Sequence, residues 1–254
     1  MKIVAGVKIV PDEEWIQVLP SRVLNMAGGP WKISQYDLNA LEAAKKLAAE
    51  TSGTVTALSV GSKAALEPVK IRKDVLSRGA DDLVVVMDDT RDYSDSLQTA
   101  KALAAALKDM TDAQLVLCGG GSGDVYSQEV GIQVAALLDW PSVNNVTGIT
   151  VKGDVVEVER TLEEGIEILE VAAPCVLSVS SEINNPSVPT MRDIMRAGKK
   201  PVNAANPALD DAAASLTMLE QMAPEQADRR QQVVEGDGEE AIEALYAFLK
   251  KEVL

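Results

Sequence analysis

The chain has 254 residues, enough for one large domain or two small ones, and 46% of them are hydrophobic, which suffices for a buried core. Its net charge of −15 argues against nucleic acid or an anionic membrane surface as the partner. Because there is no histidine, serine–histidine and cysteine–histidine catalysis are excluded, and with only two cysteines a zinc or iron–sulfur site is not expected. Much enzyme chemistry is therefore closed to this chain.

The N-terminal residues and the cysteines indicate where the protein is expected to reside. Lys2 is followed by an apolar run that is only long enough for a strand, so we expect no signal peptide, and no run is long enough to insert into a membrane. Cys118 and Cys175 each lie in an apolar run, which favours buried free thiols over a disulfide. These observations predict a cytoplasmic protein.

Apolar runs and helical periodicities alternate along the first part of the chain. This alternation predicts an α/β fold with a doubly wound, mostly parallel sheet. The predicted elements are a strand at 1–10, a hairpin within 15–26, a helix at 38–50, a strand at 55–60, a helix at 64–78, a strand at 82–87, a helix at 96–108 and a strand at 115–118.

The predicted helix at 64–78 carries a basic cluster. The favoured interpretation is a solvated face whose positive charges suit the C-terminal end of the helix dipole, with a binding role as the alternative. The cluster consists of Lys70, Arg72, Lys73 and Arg78.

The pattern changes after Pro141. Short strands at 146–151, 155–160 and 166–171, separated by turn signals, predict an antiparallel segment, and a further strand follows at 175–180. We expect a short helix at 190–198 and a final amphipathic helix at 239–253. We therefore predict an α/β nucleotide-binding domain at 1–200, with its β-rich segment at 146–180, followed by an extended arm and helix at 201–254 that lie over another surface.

Residues 114–131 are the most informative stretch. A buried strand leads into four glycines (Gly119, Gly120, Gly121 and Gly123), and a helical pattern then runs over 125–138 with Ser122, Asp124 and Ser127 as candidate N-caps. Free backbone N–H groups at such a turn bind anions, although the stretch matches neither G-x-G-x-x-G nor a Walker A loop. The alternative is that the glycines serve turn geometry alone.

Three strand ends are expected to meet at one edge of the predicted sheet. These are Gly6 after the first strand, residues 59–62 after the second and residues 119–127 after the fourth. Ligands of doubly wound sheets bind at the carboxyl ends of the strands. The convergence favours a nucleotide site over a purely structural loop.

Several blocks in a fixed order point to a known family. They include Val-Lys-Ile-Val-Pro-Asp at 7–12, Ile-Ser-Gln-Tyr-Asp-Leu-Asn-Ala-Leu-Glu-Ala-Ala at 33–44, the glycine loop through residue 131, and Ile-Met-Arg-Ala-Gly-Lys-Lys-Pro at 194–201. On these blocks the chain resembles the small, or beta, subunit of electron-transfer flavoproteins, especially the FixA-like branch.

The resemblance implies an adenine nucleotide alpha hydrolase-like fold and an electron-carrier subunit that is not catalytic alone. Such a subunit pairs with an alpha (FixB-like) subunit that holds most of an FAD, and the heterodimer carries electrons from a flavoprotein dehydrogenase to an acceptor oxidoreductase. The small subunit binds AMP or a second FAD. By matching position, the nucleotide site comprises Gly6, Ser34, Gln35, Tyr36, Asp37, Val60, Gly119, Gly120, Gly121, Ser122, Gly123, Asp124, Val125, Tyr126, Ser127, Gln128, Glu129 and Val130.

The resemblance also implies a partner-recognition loop and two residues near the flavin. Met191 falls where an apolar anchor enters a pocket on the donor dehydrogenase, and the alternative is that Met191 packs under its own helix. Glu129 replaces a usual glutamine and is repelled by a phosphate unless it points away, so AMP and FAD both remain open. The loop residues are Asn184, Pro186, Thr190, Met191, Ile194 and Met195, and the flavin neighbours are Glu13 and Arg160.

Two other functions compete with the carrier subunit. One is an enzyme of the adenine-nucleotide α-hydrolase type, which lacks a convincing phosphate-clamping set near 119–131. The other is a stand-alone nucleotide sensor similar to universal stress proteins, which gives residues 183–254 no purpose.

Overall fold

The computed structural model describes residues 1–26, 28–209, 216, 218–225 and 233–252. The strands are β1 (Lys2–Gly6), β2 (Ile9–Pro11), β3 (Gln17–Val18), β4 (Leu24–Asn25), β5 (Trp31–Ile33), β6 (Thr54–Gly61), β7 (Asp82–Met87), β8 (Leu115–Gly119), β9 (Ser142–Lys152), β10 (Val155–Leu162), β11 (Gly165–Ala172), β12 (Cys175–Val179) and β13 (Val202–Ala204). The helices are α1 (Gln35–Thr51), α2 (Lys63–Leu66), α3 (Val69–Ser77), α4 (Ser96–Lys108), α5 (Val130–Leu138), α6 (Met191–Ala197) and α7 (Glu239–Glu252).

Nine of the described strands form one sheet in the order β11-β10-β9-β12-β8-β1-β6-β7-β13. The pairs from β9 through β12 to β13 are parallel, whereas β9, β10 and β11 form an antiparallel extension. The predicted α/β fold with a mostly parallel sheet and an added antiparallel segment is confirmed. The predicted hairpin is also present, as β3 paired with β4.

Helices cover both faces of the parallel part of the sheet. In β1 the side chains of Ile3 and Ala5 pack with α1 and α3 on one face, while Val4 packs with α4 and α5 on the other. This alternation follows from the two-residue period of a strand and explains why the parallel strands are almost continuously apolar. Cys118 and Cys175 are buried free thiols, as predicted.

Two predicted elements are interrupted. The strand expected at 1–10 leaves the sheet after Gly6 and resumes as β2, which pairs antiparallel with β5. The break occurs because the N–H of Lys8 bonds to the side chain of Asp37 instead of to a strand. The helix expected at 64–78 is two helices, since Pro68 lies at the N-cap of α3 and has no N–H to continue a helical ladder.

The chain after Pro201 begins with a strand that the sequence did not reveal. The three residues of β13 pair with β7, with Val202 opposite Leu83. Such a short edge strand leaves almost no alternating pattern to recognise. Further along, α7 forms as predicted, and none of its residues is buried.

Parts of the predicted arm lie outside the described residues: 210–215, 217, 226–232, 253 and 254. Its docking on another subunit stays a prediction. None of the helices described above is long and apolar enough to cross a membrane.

Candidate functional site

A crevice opens at the carboxyl ends of β1, β6 and β8. β1 lies between the other two strands, so the chain winds away from it in both directions, and such a switch point is where doubly wound sheets bind ligands. The crevice is partly open to solvent. Ten of the predicted nucleotide-binding residues line it: Gly6, Asp37, Val60, Gly119, Gly121, Ser122, Ser127, Gln128, Glu129 and Val130.

The other predicted residues lie around the crevice. Asp124 lines an adjoining cavity. The Ser34 hydroxyl oxygen accepts a hydrogen bond from the N–H of Gly123 at 3.3 Å, and the rings of Tyr36 and Tyr126 have centroids 5.0 Å apart. These contacts tie the glycine loop to the start of α1. Gln35, Gly120 and Val125 complete this outer group.

Asp37 joins the two strand ends that border the crevice. One carboxylate oxygen accepts the N–H of Lys8 at 2.7 Å, and the other accepts the N–H of Gly119 at 3.1 Å. A Cβ atom on Gly119 would lie 2.6 Å from Asp37 Oδ1, so only glycine permits this approach. The first glycine of the loop is therefore required by a buried hydrogen bond.

Two carboxyl groups of the site differ in their electrostatics. Burial raises the pKa of Asp37 to about 7, although the N–H groups of Lys8 and Gly119 favour the ionised form. Burial also acts to raise the pKa of Asp124, but the ammonium of Lys8, 2.8 Å away, the Ser122 hydroxyl and the Val125 N–H together outweigh it, and the pKa of Asp124 is lowered. Near neutral pH the site thus combines a titrating buried carboxyl with an ionised one.

The loop between β8 and α5 holds two non-glycine residues in the left-handed region, Tyr126 with φ 53° and Gln128 with φ 59°. Each such residue carries roughly 1–3 kcal/mol of strain, so surrounding contacts must hold the loop. Alternation of left- and right-handed residues directs successive N–H groups into an anion-binding concavity. The backbone N–H groups from Ser127 to Val130 have no acceptor in the described part of the chain.

Helix α5 begins later than the sequence predicts. Its first residue is Val130, and Glu129 occupies the N-cap without a capping hydrogen bond from its side chain. The left-handed Tyr126 and Gln128 cannot belong to a right-handed helix, which explains the late start. The predicted N-caps were therefore wrong: Ser122, Asp124 and Ser127 all precede the helix cap.

The side chain of Glu129 is held by neighbouring helices. Its Oε2 accepts hydrogen bonds from the Ser96 hydroxyl at 2.6 Å and from Gln133 Nε2 at 3.2 Å. The carboxylate is thus engaged at the start of α4, although the residue still lines the crevice. Where the resemblance implies a glutamine, Glu129 therefore has hydrogen-bond donors of its own in the fold.

One wall of the crevice was missed by sequence reasoning. It comes from the loop 88–95 and the start of α4, which follow β7 and therefore lie at the same sheet edge. This position after a parallel strand is the signal in the sequence that points to the loop. The missed residues are Tyr93, Ser94, Ser96, Thr99 and Leu103, together with Val7, Lys8, Cys118, Gly131 and Ser178.

Tyr93 has an unusual hydroxyl. It is buried and has no hydrogen-bond partner among the described residues, and burial raises the pKa of Tyr93 to about 12. Tyr93 lines both the crevice and an adjoining cavity, which also contacts Trp31 and Arg91. The two cavities share Lys8, Val60, Tyr93 and Ser94.

We call residues 184–195 the recognition segment, and its first part is held by α1. The side-chain amide of Asn39 donates to the Asn184 carbonyl oxygen at 2.8 Å, and Asn184 returns a bond to the carbonyl of Asn39 at 3.0 Å. The Ser187 hydroxyl donates to the Glu42 carboxylate at 2.7 Å. Helix α1 therefore contacts the crevice through its first turn and the recognition segment through its next two.

The second part of the recognition segment presents α6 to solvent. Thr190 caps this helix in a reciprocal arrangement with Asp193. Met191 is 75% exposed, Met195 is 74% exposed and Ile194 is also exposed. The alternative that Met191 packs under its own helix is therefore wrong.

The two residues expected near a flavin lie in different elements. Glu13 is in a 3-10 turn after β2 and pairs with Lys32, which lowers the pKa of Glu13. Arg160, on β10, pairs with Glu167 at 2.7 Å. Its register places Arg160 opposite Val146 and hence at the same sheet edge as the crevice.

A comparison with protein families completes the description of the site. A family model described as the electron transfer flavoprotein domain matches residues 22–210, which include the glycine loop and the recognition segment. The chain belongs to the electron transfer flavoprotein domain family. The match confirms the sequence resemblance at the level of the family. Proteins of this family act as electron carriers.

We predict that Asp37→Asn changes the pH dependence of stability of this electron transfer flavoprotein domain. The pKa of Asp37 in the folded protein, about 7, exceeds its ordinary value of about 4. The free energy of unfolding therefore decreases as pH rises from about 4 to about 7, by at most about 1.4 kcal/mol per pH unit. Asparagine mimics the protonated acid and does not titrate. In urea unfolding, the free energy of unfolding of the wild type minus that of the variant should decrease from about pH 4 to about pH 7. A difference that stays constant or increases would contradict the raised pKa of Asp37.

We also predict that Tyr93→Phe raises the free energy of unfolding of the protein without added ligand by about 1 kcal/mol, because it removes a buried hydroxyl that has no partner among the described residues. The matched control is Ser59→Ala, since the buried Ser59 hydroxyl donates to the Val7 carbonyl at 2.6 Å and its loss should destabilise. Chemical unfolding measures both variants. Equal destabilisation by the two changes would mean that the Tyr93 hydroxyl is satisfied.

Proposed function

We propose that this chain is the small, beta-type subunit of a heterodimeric electron-transfer flavoprotein of the FixA-like branch. It binds an adenine nucleotide, either AMP or a second FAD, and pairs with a FAD-bearing alpha (FixB-like) subunit. The heterodimer carries electrons from a flavoprotein dehydrogenase to an acceptor oxidoreductase. The observation that carries the nucleotide assignment is the run of N–H groups from Ser127 to Val130, which lack an acceptor among the described residues and belong to the wall of the crevice.

The phosphate is assigned to the start of α5. Unpaired N–H groups at a helix N-terminus carry partial positive charge and bind phosphate, and the left-handed Gln128 beside Glu129 adds the geometry of an anion-binding turn. The Glu129 carboxylate opposes this charge, but its bond to Ser96 holds it toward α4. The proposed phosphate contacts are therefore backbone N–H groups.

The remainder of the ligand is assigned to the two adjoining cavities. The two cavities adjoin along Lys8, Val60, Tyr93 and Ser94, so one elongated ligand can contact both. The partnerless hydroxyl of Tyr93 stands where the cavities meet, so a ligand sugar or phosphate can supply its missing hydrogen bond. On this assignment AMP occupies the crevice, and the longer FAD also contacts the adjoining cavity.

The electron transfer itself belongs to the flavin, which supplies reversible redox chemistry when it is bound. This chain contributes position and partner contacts. In support of a subunit interface, α7 carries Ile242, Leu245 and Leu249 exposed on a helix with no buried residue. Such an apolar stripe fits docking on another subunit, and Arg160 and Glu13 are assigned to the surroundings of the partner's flavin.

The recognition segment is assigned to the donor dehydrogenase. Met191 and Met195 project into solvent from a helix whose start is capped and whose preceding loop is bonded to α1. Methionine adapts its shape to a pocket at little cost in conformational strain. The segment thus combines a fixed backbone with adaptable apolar side chains.

Co-expression with an alpha-type subunit tests the proposed function. We expect an equimolar yellow complex with a flavin spectrum, and denaturation should release AMP with one FAD, or two FAD, per heterodimer. A colourless monomer that hydrolyses ATP would instead identify an α-hydrolase type enzyme. Nucleotide binding with no partner would identify a stand-alone sensor.

Glu129→Gln tests the place of the phosphate. Removing this charge should tighten binding of AMP about two- to fivefold, because repulsion of the phosphate dianion is relieved, and added salt should reduce the gain. Adenosine, which has no phosphate, is the matched ligand and should bind the variant and the wild type equally. Calorimetry that finds the same change for both ligands, or weaker AMP binding, would place the phosphate elsewhere.

A further inference from the structure

The ammonium of Lys8 and the carboxylate of Asp124 form an ion pair beside the crevice. Lys8 follows β1, whereas Asp124 belongs to the glycine loop, 116 residues further along the chain. The Nζ atom of Lys8 lies 2.8 Å from both oxygens of the carboxylate. The two side chains are only 24% and 25% exposed, so solvent and salt screen this pair less than a pair on the open surface. The pair therefore joins the end of β1 firmly to the loop that follows β8.

The ion pair lies where the crevice meets the adjoining cavity. Lys8 lines both spaces, together with Tyr93 and Ser94, and Asp124 lines the adjoining cavity. A ligand that extends from the crevice into the adjoining cavity therefore passes the Lys8 side chain and comes close to the Asp124 carboxylate.

The loop itself holds the Asp124 carboxylate in place. The Ser122 hydroxyl and the Val125 N–H donate hydrogen bonds to it, and these bonds together with Lys8 lower the pKa of Asp124. The group is consequently ionised near neutral pH. A ligand phosphate that approaches Lys8 meets a fixed negative charge.

Positive charge is scarce in this part of the molecule. Lys8 is the only lysine or arginine among the described residues that line the crevice. Arg91 lines the adjoining cavity, but it bonds to Asp88 at 3.2 Å and to Gln98 at 2.7 Å. The backbone N–H groups at 127–130 are assigned to one phosphate, so a second phosphate has to draw on Lys8.

We propose that the ion pair of Lys8 and Asp124 selects the number of phosphates in the bound adenine nucleotide. While the pair is intact, the site favours a single phosphate on the backbone N–H groups. A nucleotide with a diphosphate places its second phosphate beside Lys8, where it has to displace the carboxylate of Asp124 and is repelled by it. The inference rests on the proposed function and deepens it, since it favours AMP over a dinucleotide such as FAD in the wild-type site.

The alternative is that the ion pair only ties the glycine loop to β1. Removal of either partner then weakens the binding of every adenine nucleotide to the same degree. Phosphate selection instead predicts opposite effects, because Lys8 attracts the second phosphate whereas Asp124 repels it. The ratio of the affinities for a diphosphate and a monophosphate ligand therefore separates the two roles.

Calorimetric titration of the full-length chain with AMP and with ADP-ribose, without magnesium, tests the proposal. Both ligands contain adenosine and carry about two negative charges near pH 8, since AMP is a dianion and each of the two phosphates of ADP-ribose carries one charge. Asp124→Asn keeps the size of the side chain and frees Lys8. We expect it to raise the affinity for ADP-ribose relative to AMP at least about fivefold, and Lys8→Met to lower the same ratio.

Asp112→Asn is the matched control. Asp112 pairs with Lys2 at 3.2 Å, at the beginning of β1 and hence at the opposite edge of the sheet. The control changes the net charge by the same amount as Asp124→Asn, and its affinity ratio should equal that of the wild type. An unchanged ratio in Asp124→Asn, or an equal increase in Asp112→Asn, would overturn the proposal. Asp124→Ser also frees Lys8 and replaces the asparagine variant if circular dichroism shows that the latter does not fold.

The outcome is separable from that of the proposed function. If neither the wild type nor any variant binds AMP or ADP-ribose, the nucleotide assignment fails and this inference fails with it. If AMP binds and the affinity ratio does not respond to Asp124→Asn, this inference alone fails and the proposed function stands.

Discussion

The candidate site depends on one buried carboxyl, that of Asp37. It binds the N–H of Lys8, where the chain leaves the sheet, and the N–H of Gly119, where β8 ends, and so fixes the distance between the two strand ends at the crevice. This contact gives the N–H of Lys8 an acceptor outside the sheet, so that the strand ends at Gly6. It also holds Gly119, where the glycine loop begins. The carboxyl is buried where it makes these contacts, and burial raises the pKa of Asp37 to about 7.

Helix α1, which carries Asp37, also binds the recognition segment. Asp37 lies in its first turn, while Asn39 and Glu42 in the following turns bind Asn184 and Ser187 of the recognition segment. A helix is stiff over this length, so the place of the recognition segment relative to the crevice is set by one element. The buried polar residues of α1 are thereby explained, because each has its hydrogen bond to a segment distant in sequence.

Local patterns made the sheet predictable and tertiary hydrogen bonds made parts of the site unpredictable. The bounds of β7 and α4 follow from sequence, since a buried parallel strand and an amphipathic helix each have a clear period. The left-handed Tyr126 and Gln128 could not be foreseen, because neither is glycine and the surrounding structure imposes their conformation. The role of Tyr93 was equally hidden, because only topology brings its loop to the crevice.

If the proposed nucleotide binding is correct, this acidic chain attracts a phosphate against the field of its own net charge. Lys8, a cation that lines the crevice, is already paired with Asp124, and Glu129 adds a negative charge to the crevice wall. Backbone N–H groups can still attract a phosphate, since their dipoles act within a few ångströms. The net charge of −15, in contrast, is spread over the surface and is screened by salt over about 8–10 Å. Specificity in such a site comes from the fixed geometry of the loop, which is why its strained residues and its first glycine must be held so firmly by Asp37 and α1.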